Sequence, residues 1–356
     1  MDKTRLLKLL DLHKADALVS EAPQTRLWYA KVETSDGYIV VEKDKATLFV
    51  DNRYIEYAKK TAKNVEVKLL AGDNLKNFFK EKRFKKVLLE ENYLTKQLTK
   101  HLLSLMDLKE ENVAWVHGQE LRVVKSKEEV ETLQEVVDLS LKSYDQLMAW
   151  LRSKLDKKEK VTEKHAAAKL AYFMQINGCS KEGFDSIVAT GKNAAEPHHH
   201  PTDDVIEDNE ILKVDFGGLY KGFCADITRT SFLGDRAKAK DPKVLEVLQI
   251  VEEAAKAGRD AVRPGVLASD IDLVCRNYIK AKGYENYFLH STGHGLGIDV
   301  HELPVVSFRG ETVLEPGMVI TVEPGIYLEG LTGARIEDDV LVTETGRRVL
   351  SRKDEN

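Results

Sequence analysis

The chain has 356 residues, 42% of them hydrophobic and 32% charged, with a formal net charge of −5. At about 150 residues per domain this suggests two globular domains with ample core material, and no window holds the roughly 18 consecutive apolar residues of a membrane span. The stretch MDKTRLLKLLDLHKADAL is too charged for a secretory leader, and three cysteines (Cys179, Cys224, Cys275) allow neither a disulfide framework nor paired zinc ligands. A reducing, cytoplasmic setting is therefore expected, without a membrane partner.

Charge is unevenly spread. Residues 1–125 carry 24 Lys+Arg against 19 Asp+Glu, a net of +5, which leaves −10 for the remainder. The basic part has no arginine-rich run and no RNA-binding aromatic signature, so no nucleic-acid partner is expected. The acidic part suits either carboxylates facing a cation or a solvated surface.

In chain order, GYIVVE (37–42), ATLFV (46–50), VEVKLL (65–70) and KKVLLE (85–90) read as strands, being short, β-branched and bounded by polar residues. DNLKNFFKEKRF and LTKQLTKHLLSLM read as helices, which makes a small α/β layer of about 120 residues. A boundary is expected at 122–126, dividing the chain into 1–122 and 123–356. A long amphipathic helix then starts at Ser126, with Glu129 completing a capping box. Its apolar stripe runs through Val130, Leu133, Val137, Leu141, Tyr144, Met148 and Leu151 at spacings of three and four. Further helices are predicted at 162–177, 243–262 and 268–282. SIVAT, ILKVDFG, FCADITRTSF, MVITVEPG and ARIEDDVLVT read as strands, punctuated by glycines and Pro324-Gly325.

The chemistry concentrates in the second half, where 198–200 and 290–301 hold six of the ten histidines. Four acids also stand in apolar strand contexts, where an unpaired charge is costly. Asp215 ends the run Ile211, Leu212, Val214, and the Gly-Gly-Leu-Tyr-Lys-Gly turn after it suits a hairpin that would bring Asp226 alongside. Two such carboxylates repel, so one stays protonated unless a metal holds both. Each could instead cap a turn. Glu323, after MVITV, and Glu337, in ARIEDDVLV, could meet across a second hairpin or lie on a solvated edge. In STGHGLGIDVHELP, His294 lies in a loop between Gly293 and Gly295, which let the backbone approach a partner closely; His290 and His301 flank it. Together Asp, Asp, His, Glu and Glu form an oxygen-rich, thiolate-free donor set that favours Mn²⁺, Co²⁺ or Fe²⁺ over structural zinc. Five ligands, two able to bridge, suit two divalent ions and hydrolysis of a carbonyl bond.

Four motifs, VDFGGLYKGFCADITRT, STGHGLGIDVHE, ITVEPGIY and ARIEDD, occur in that order. On them the chain resembles the pita-bread metallopeptidases, in the branch that holds aminopeptidase P and prolidase. The resemblance implies an α+β protein: a small α/β creatinase-like N-terminal domain, then a pita-bread catalytic domain with a curved antiparallel sheet covered by helices. It implies that Asp215 chelates one ion, that Asp226 and Glu337 bridge both, and that His294 and Glu323 complete the other. The ions would be Mn²⁺, with Co²⁺, Fe²⁺ or Zn²⁺ as alternatives. Glu323 would also shuttle the proton of a metal-bridging hydroxide to the leaving proline nitrogen. His198 would be the substrate-side histidine, His290 and His301 would hydrogen-bond the scissile carbonyl and the tetrahedral intermediate, and Arg335 would support the site and help bind substrate. The implied activity is an Xaa-Pro aminopeptidase acting on peptides with proline second, as a homodimer. An Xaa-Pro dipeptidase is the alternative, and a non-catalytic binding module the remote one. His301-Glu302-Leu303-Pro304 is followed by Val305-Val306, where many dipeptidases of this branch place an arginine for the free proline carboxylate; this favours the aminopeptidase. FVDNRYIEYA resembles a segment that approaches a partner subunit's site, so Asp51, Arg53 and Tyr54 either limit substrate length or begin a solvated helix.

Overall fold

The computed structural model describes residues 3–352. Its contacts divide the chain into two compact units, Met1–Arg122 and Val123–Asn356. In the first, α1 (Thr4–His13), β1 (Ala17–Ser20) and α2 (Pro23–Ala30) precede a hairpin of β2 (Tyr38–Glu42) and β3 (Ala46–Val50). Then come α3 (Ile55–Thr61), β4 (Glu66–Leu69), α4 (Asn74–Lys82), β5 (Val87–Glu90), α5 (Lys96–Met106) and β6 (Val113–Val116). The strands form one mixed sheet in the order β4-β3-β2-β1-β5-β6. β1, β3 and β5 are buried along their whole length, as apolar runs covered on both faces must be. Phe78, Phe79, Leu102 and Met106 from α4 and α5 pack with Val19, Val40, Phe49 and Leu89.

The second unit opens with α6 (Lys127–Asp156), where the predicted capping box forms: Ser126 Oγ accepts from the Glu129 N–H, and the Glu129 carboxylate accepts from the Ser126 N–H at 2.9 Å. Leu133, Val137 and Leu151 of the stripe are fully buried and its other members half-buried. Thr162 caps α7 (Glu163–Asn177). There follow β7 (Lys181–Glu182), β8 (Ile187–Thr190), β9 (Ile211–Phe216), β10 (Gly218–Tyr220), β11 (Phe223–Cys224) and β12 (Ile227–Phe232). Helices α8 (Pro242–Ala261) and α9 (Ala268–Ala281) come next. The unit ends with β13 (Gly293–Gly295), β14 (Glu302–Val306), β15 (Val319–Val322), β16 (Gly325–Leu328), β17 (Thr332–Arg335), β18 (Asp338–Val342) and β19 (Arg347–Val349).

The paired strands of this unit are antiparallel, in ladders β12-β9-β8, β11-β10-β7, β14-β13-β15-β18-β19 and β16-β17. Strand alternation sends neighbouring residues to opposite faces. Ile211 and Ile320 pack with Val251 of α8 and Ile271 of α9. Leu212 and Val319 pack with Val137 of α6 and Leu170 of α7. The sheet is thus covered by a helix pair on each side, the α+β architecture the resemblance implies.

Three segments differ from their sequence reading. FCADITRTSF breaks into β11 and β12, because β11 pairs with β10 while β12 pairs with β9. ARIEDDVLVT breaks likewise between β17, paired with β16, and β18, paired with β15. Asp226 and Glu337 sit at these two breaks. STGHGLGIDVHELP is not a loop throughout; it contributes β13 and the start of β14.

Candidate metal centre

Register brings the acids together. Thr228 of β12 faces Asp215 of β9, so Asp226 falls on the diagonal of that ladder, the neighbour position on the same face. Val322 faces Asp338 across β15 and β18, which leaves Glu323 and Glu337 flanking one step of the sheet. His294 arrives on β13, between β14 and β15. A Cβ on Gly293 would lie 2.0 Å from the Thr321 carbonyl oxygen, and one on Gly295 2.0 Å from that of Leu303. Only glycine lets β13 fit so tightly that the intervening imidazole reaches the acids.

Potential ligand atoms fall within 4.8 Å of one another in three groups: Asp215–Asp226–Glu337, His294–Glu323–Glu337 and Asp226–His294–His301. All five lie on a cavity of about 460 Å³ that His198, His290, His301 and Arg335 also line. The nine residues singled out in the sequence therefore meet at one place.

Four buried carboxylates here face one guanidinium. Burial, then Glu337, Asp215 and Glu323, push Asp226 well above the usual carboxylate range. Burial, then Glu323 and Asp215, do the same to Glu337. Burial lifts Glu323 to about 8, against the pull of Arg335. Burial opposes the Arg335 charge, but Tyr327 and the surrounding carboxylates more than restore it. Arg335 Nη2 donates to Asp215 Oδ2, whereas Asp215 Oδ1 is buried with no hydrogen-bond partner. An orphaned acceptor beside two further carboxylates suits a cation, and the oxygen-rich donors with one imidazole fit divalent ions.

The imidazole is oriented for the same task. His294 Nδ1 lies 2.9 Å from the Gly295 carbonyl oxygen, which can only accept. The hydrogen therefore belongs on Nδ1, and the Nε2 lone pair points to Asp226 and Glu323, 3.5 and 3.4 Å away. Burial holds the ring at about 4, hence neutral at pH 7.

Three supporting residues escaped the sequence reading. Thr228 Oγ1 donates to Glu337 Oε2 at 2.6 Å and accepts from Arg335 Nε at 2.9 Å. Thr321 Oγ1 accepts from the His294 N–H at 3.1 Å and donates to Glu323 Oε1 at 3.3 Å. The Tyr327 hydroxyl accepts from Arg335 Nη1 at 2.9 Å and donates to His290 Nε2 at 2.8 Å. All three lie inside the quoted motifs; for Thr321 and Tyr327 a hydroxyl in an otherwise apolar strand was the one visible signal, whereas Thr228 stands in a polar strand and gave none.

The histidines differ in what they are free to do. His290 Nδ1 donates to the Ser291 carbonyl at 2.8 Å and Nε2 accepts from Tyr327, so donation to a substrate oxygen requires the Ser291 bond to be given up. Burial, then Arg335, lowers it to about 3. His301 is exposed, its ring centroid 4.4 Å from that of His294. His198 is exposed at the cavity wall, lowered by partial burial and by Arg335. His199 is buried between Glu163 and Glu196. Cys224 Sγ points away, 3.5 Å from the Ile298 carbonyl oxygen, among the residues beneath α6 and α7.

Carboxylates and one imidazole gathered on an antiparallel sheet between two helix pairs define a hydrolase that works with divalent metal ions. The chain belongs to metallopeptidase family M24, whose profile matches residues 131–344, and to its Xaa-Pro peptidase branch; it is a metallo-exopeptidase. The Creatinase/Prolidase N-terminal domain profile matches residues 3–124. An Xaa-Pro dipeptidase of Pyrococcus furiosus is 35% identical over 349 residues, 98% of this chain and 97% of that protein. Among solved structures, an Xaa-Pro dipeptidase from Bacillus anthracis is 34% identical with a TM-score of 0.89, covering 98% of this chain and 96% of that one. An X-Pro aminopeptidase from Thermotoga maritima is 32% identical with a TM-score of 0.87, covering 97% of each chain.

Proposed function

We propose that the chain is an Xaa-Pro aminopeptidase that releases the N-terminal residue from peptides with proline in second place, using two divalent ions, with Mn²⁺ the first choice. The overlap of the ligand groups carries the two-ion reading: Glu337 belongs both to the Asp215 group and to the Glu323 group, and Asp226 links the Asp215 group to His294. Asp215, Asp226 and Glu337 would hold one ion; His294 and Glu323, with Asp226 and Glu337, would hold the other. Ions bound there supply Lewis-acid chemistry and make water nucleophilic near neutral pH. Arg335 orients Asp215 and, through Thr228, Glu337. His301 and His198 would present donors to the substrate from the cavity wall, and His290 can add one by giving up its Nδ1 bond to the Ser291 carbonyl. The leaving nitrogen of proline is a tertiary amide and must be protonated as it departs. We assign the delivery of that proton to Glu323, whose Oε2 lies 3.9 Å from His290 Nδ1.

Charge supports the aminopeptidase over the dipeptidase. A dipeptide ends in a free carboxylate beside proline and needs a cation to receive it. Among the described residues that line the cavity there is no lysine, and Arg335 is committed to Asp215, Tyr327 and the Pro197 carbonyl. Val305, after the His-Glu-Leu-Pro segment, lines the cavity as a neutral side chain. The dipeptidase reading has its own support in the names of the Pyrococcus and Bacillus relatives. Hydrolysis of an Xaa-Pro dipeptide against an Xaa-Pro-Xaa tripeptide, with and without Mn²⁺, decides between them. The tripeptide is expected to be cleaved, and only with metal. Cleavage of the dipeptide alone makes the chain a prolidase, and cleavage of neither returns it to a binding module. A homodimer in a reducing, cytoplasmic setting completes the proposal; the three cysteines are free and buried, and no described helix is long and apolar enough to cross a membrane.

A further inference from the structure

Lys213 is a buried lysine with no part in the chemistry above. It lies in β9 two residues before Asp215, on the same face by strand alternation, and is 0% exposed. A lysine in such a place is costly unless its donors are met. They are met by one short segment: Nζ lies 3.0 Å from the Ala194 carbonyl oxygen, 2.5 Å from that of Glu196 and 3.5 Å from that of Pro197. Arg335 Nη1 donates to the same Pro197 oxygen at 3.1 Å. Lys213 Nζ also stands 5.2 Å from the centroid of the Tyr327 ring, whose hydroxyl ties Arg335 to His290. Burial and the neighbouring Arg335 pull Lys213 down to about 6; even the neutral amine keeps two N–H donors for these carbonyls. Residues 196–210 belong to none of the strands or helices above; backbone bonds hold the stretch at Glu196, Thr202, Asp204, Ile206 and Asn209, whereas the carbonyls of Ala194, Glu196 and Pro197 are met by the side chains of Lys213 and Arg335. His198 follows directly.

We propose that Lys213 is a positioning residue for substrate binding: by holding the carbonyls of Ala194, Glu196 and Pro197 it sets the backbone from which His198 enters the cavity. A core filler would do with a methionine of similar length. A device for aiming His198 needs the nitrogen. The inference rests on the peptidase reading of the cavity, with His198 on the substrate side.

The test is hydrolysis of an Xaa-Pro-Xaa tripeptide with Mn²⁺ by wild type, K213M, H198A and the double variant. K213M is expected to raise KM about tenfold while kcat changes by less than about threefold, since small misplacements of a binding group cost this much. The double variant is expected to be no worse than the poorer single variant within about twofold, because residues acting through one another are not additive. Bound metal per chain should match wild type. Multiplying losses, a loss in kcat with falling metal content, or no loss overturns the proposal. If K213M does not fold, K213Q, one atom shorter but with two N–H donors, should show a smaller KM effect that vanishes on the H198A background; an effect that persists there overturns it. Wild type inactive on the tripeptide would instead count against the aminopeptidase reading. In that case the His198 ring resonances, assigned by their loss in H198A, still decide: they shift in K213M if Lys213 aims the ring, and unshifted resonances refute it.

Discussion

Asp226 stands where the chain leaves the β10–β11 hairpin for the β9–β12 ladder, with its carboxylate among three others. Asp226→Asn replaces a charge that a cation needs by a neutral amide of the same shape. Metal and activity are expected to disappear together, read by bound metal per chain and by peptide hydrolysis; normal turnover would remove Asp226 from the centre. His301 is the more exposed test. Its ring lies beside His294 and shares a ligand-sized group with Asp226. If it donates to the developing oxyanion, His301→Ala lowers kcat by about 10²- to 10³-fold and leaves metal content unchanged. Loss of metal would make it a ligand instead. At this scale the sequence was informative, because a carboxylate after Ile-Leu-Lys-Val or Ile-Thr-Val is conspicuous by its cost. It was blind to Thr228, Thr321 and Tyr327, since a hydroxyl is at home in a strand whether or not it holds a ligand.

Among elements, α7 is tied to the segment after the Gly191–Ala195 turn by a buried pair. His199 Nε2 and Glu163 Oε2 lie 2.8 Å apart, and Glu163 also accepts from the Thr190 and Thr202 N–H groups. Burial pushes Glu163 up, but His199 and these donors hold it below its ordinary 4.5. Burial pulls His199 down, but Glu196 and Glu163 raise it above 6.5. The Glu163 contribution is present above 4.5 and is lost as pH falls; the His199 contribution is present below 6.5 and is lost as pH rises through the raised value. The coupling in an H199Q/E163Q double-mutant cycle, from denaturant melts, should therefore be larger near about pH 5.5 than near about pH 8.5. Equal coupling at both would mean that the pair is neutral throughout. The helices here were legible from their caps and their three-and-four spacing. The breaks at Asp226 and Glu337 were not, because β-propensity runs through them unchanged and only the choice of partner strand interrupts the ladder.

For the molecule as a whole, the acid cluster links stability to metal. With the ions removed, four carboxylates and one guanidinium remain close together in a buried cavity, and proton uptake or repulsion must relieve them. Chelation is expected to lower the melting temperature, and Mn²⁺ to restore it by RT ln(1 + [M]/Kd), about 2.7 kcal/mol at 100 Kd. Calorimetry with and without chelator measures this. Asp226→Asn should show a much smaller metal-dependent shift, and a full shift in that variant would place the stabilising ion elsewhere.

By itself the amino-acid sequence determined the two kinds of layer, the long helices and seven residues of the cavity, because periodicity, caps and misplaced charges are local properties that each residue declares; His198 and Arg335 came from the family resemblance alone. The tertiary structure alone decided which ligands share neighbours, that His290 is held by Tyr327, and that Lys213 points inward to three carbonyls. Those facts depend on strand register and on the meeting of residues as far as 122 positions apart in the chain, Asp215 and Glu337, and a lysine inside a strand looks the same in sequence whether it faces water or the core.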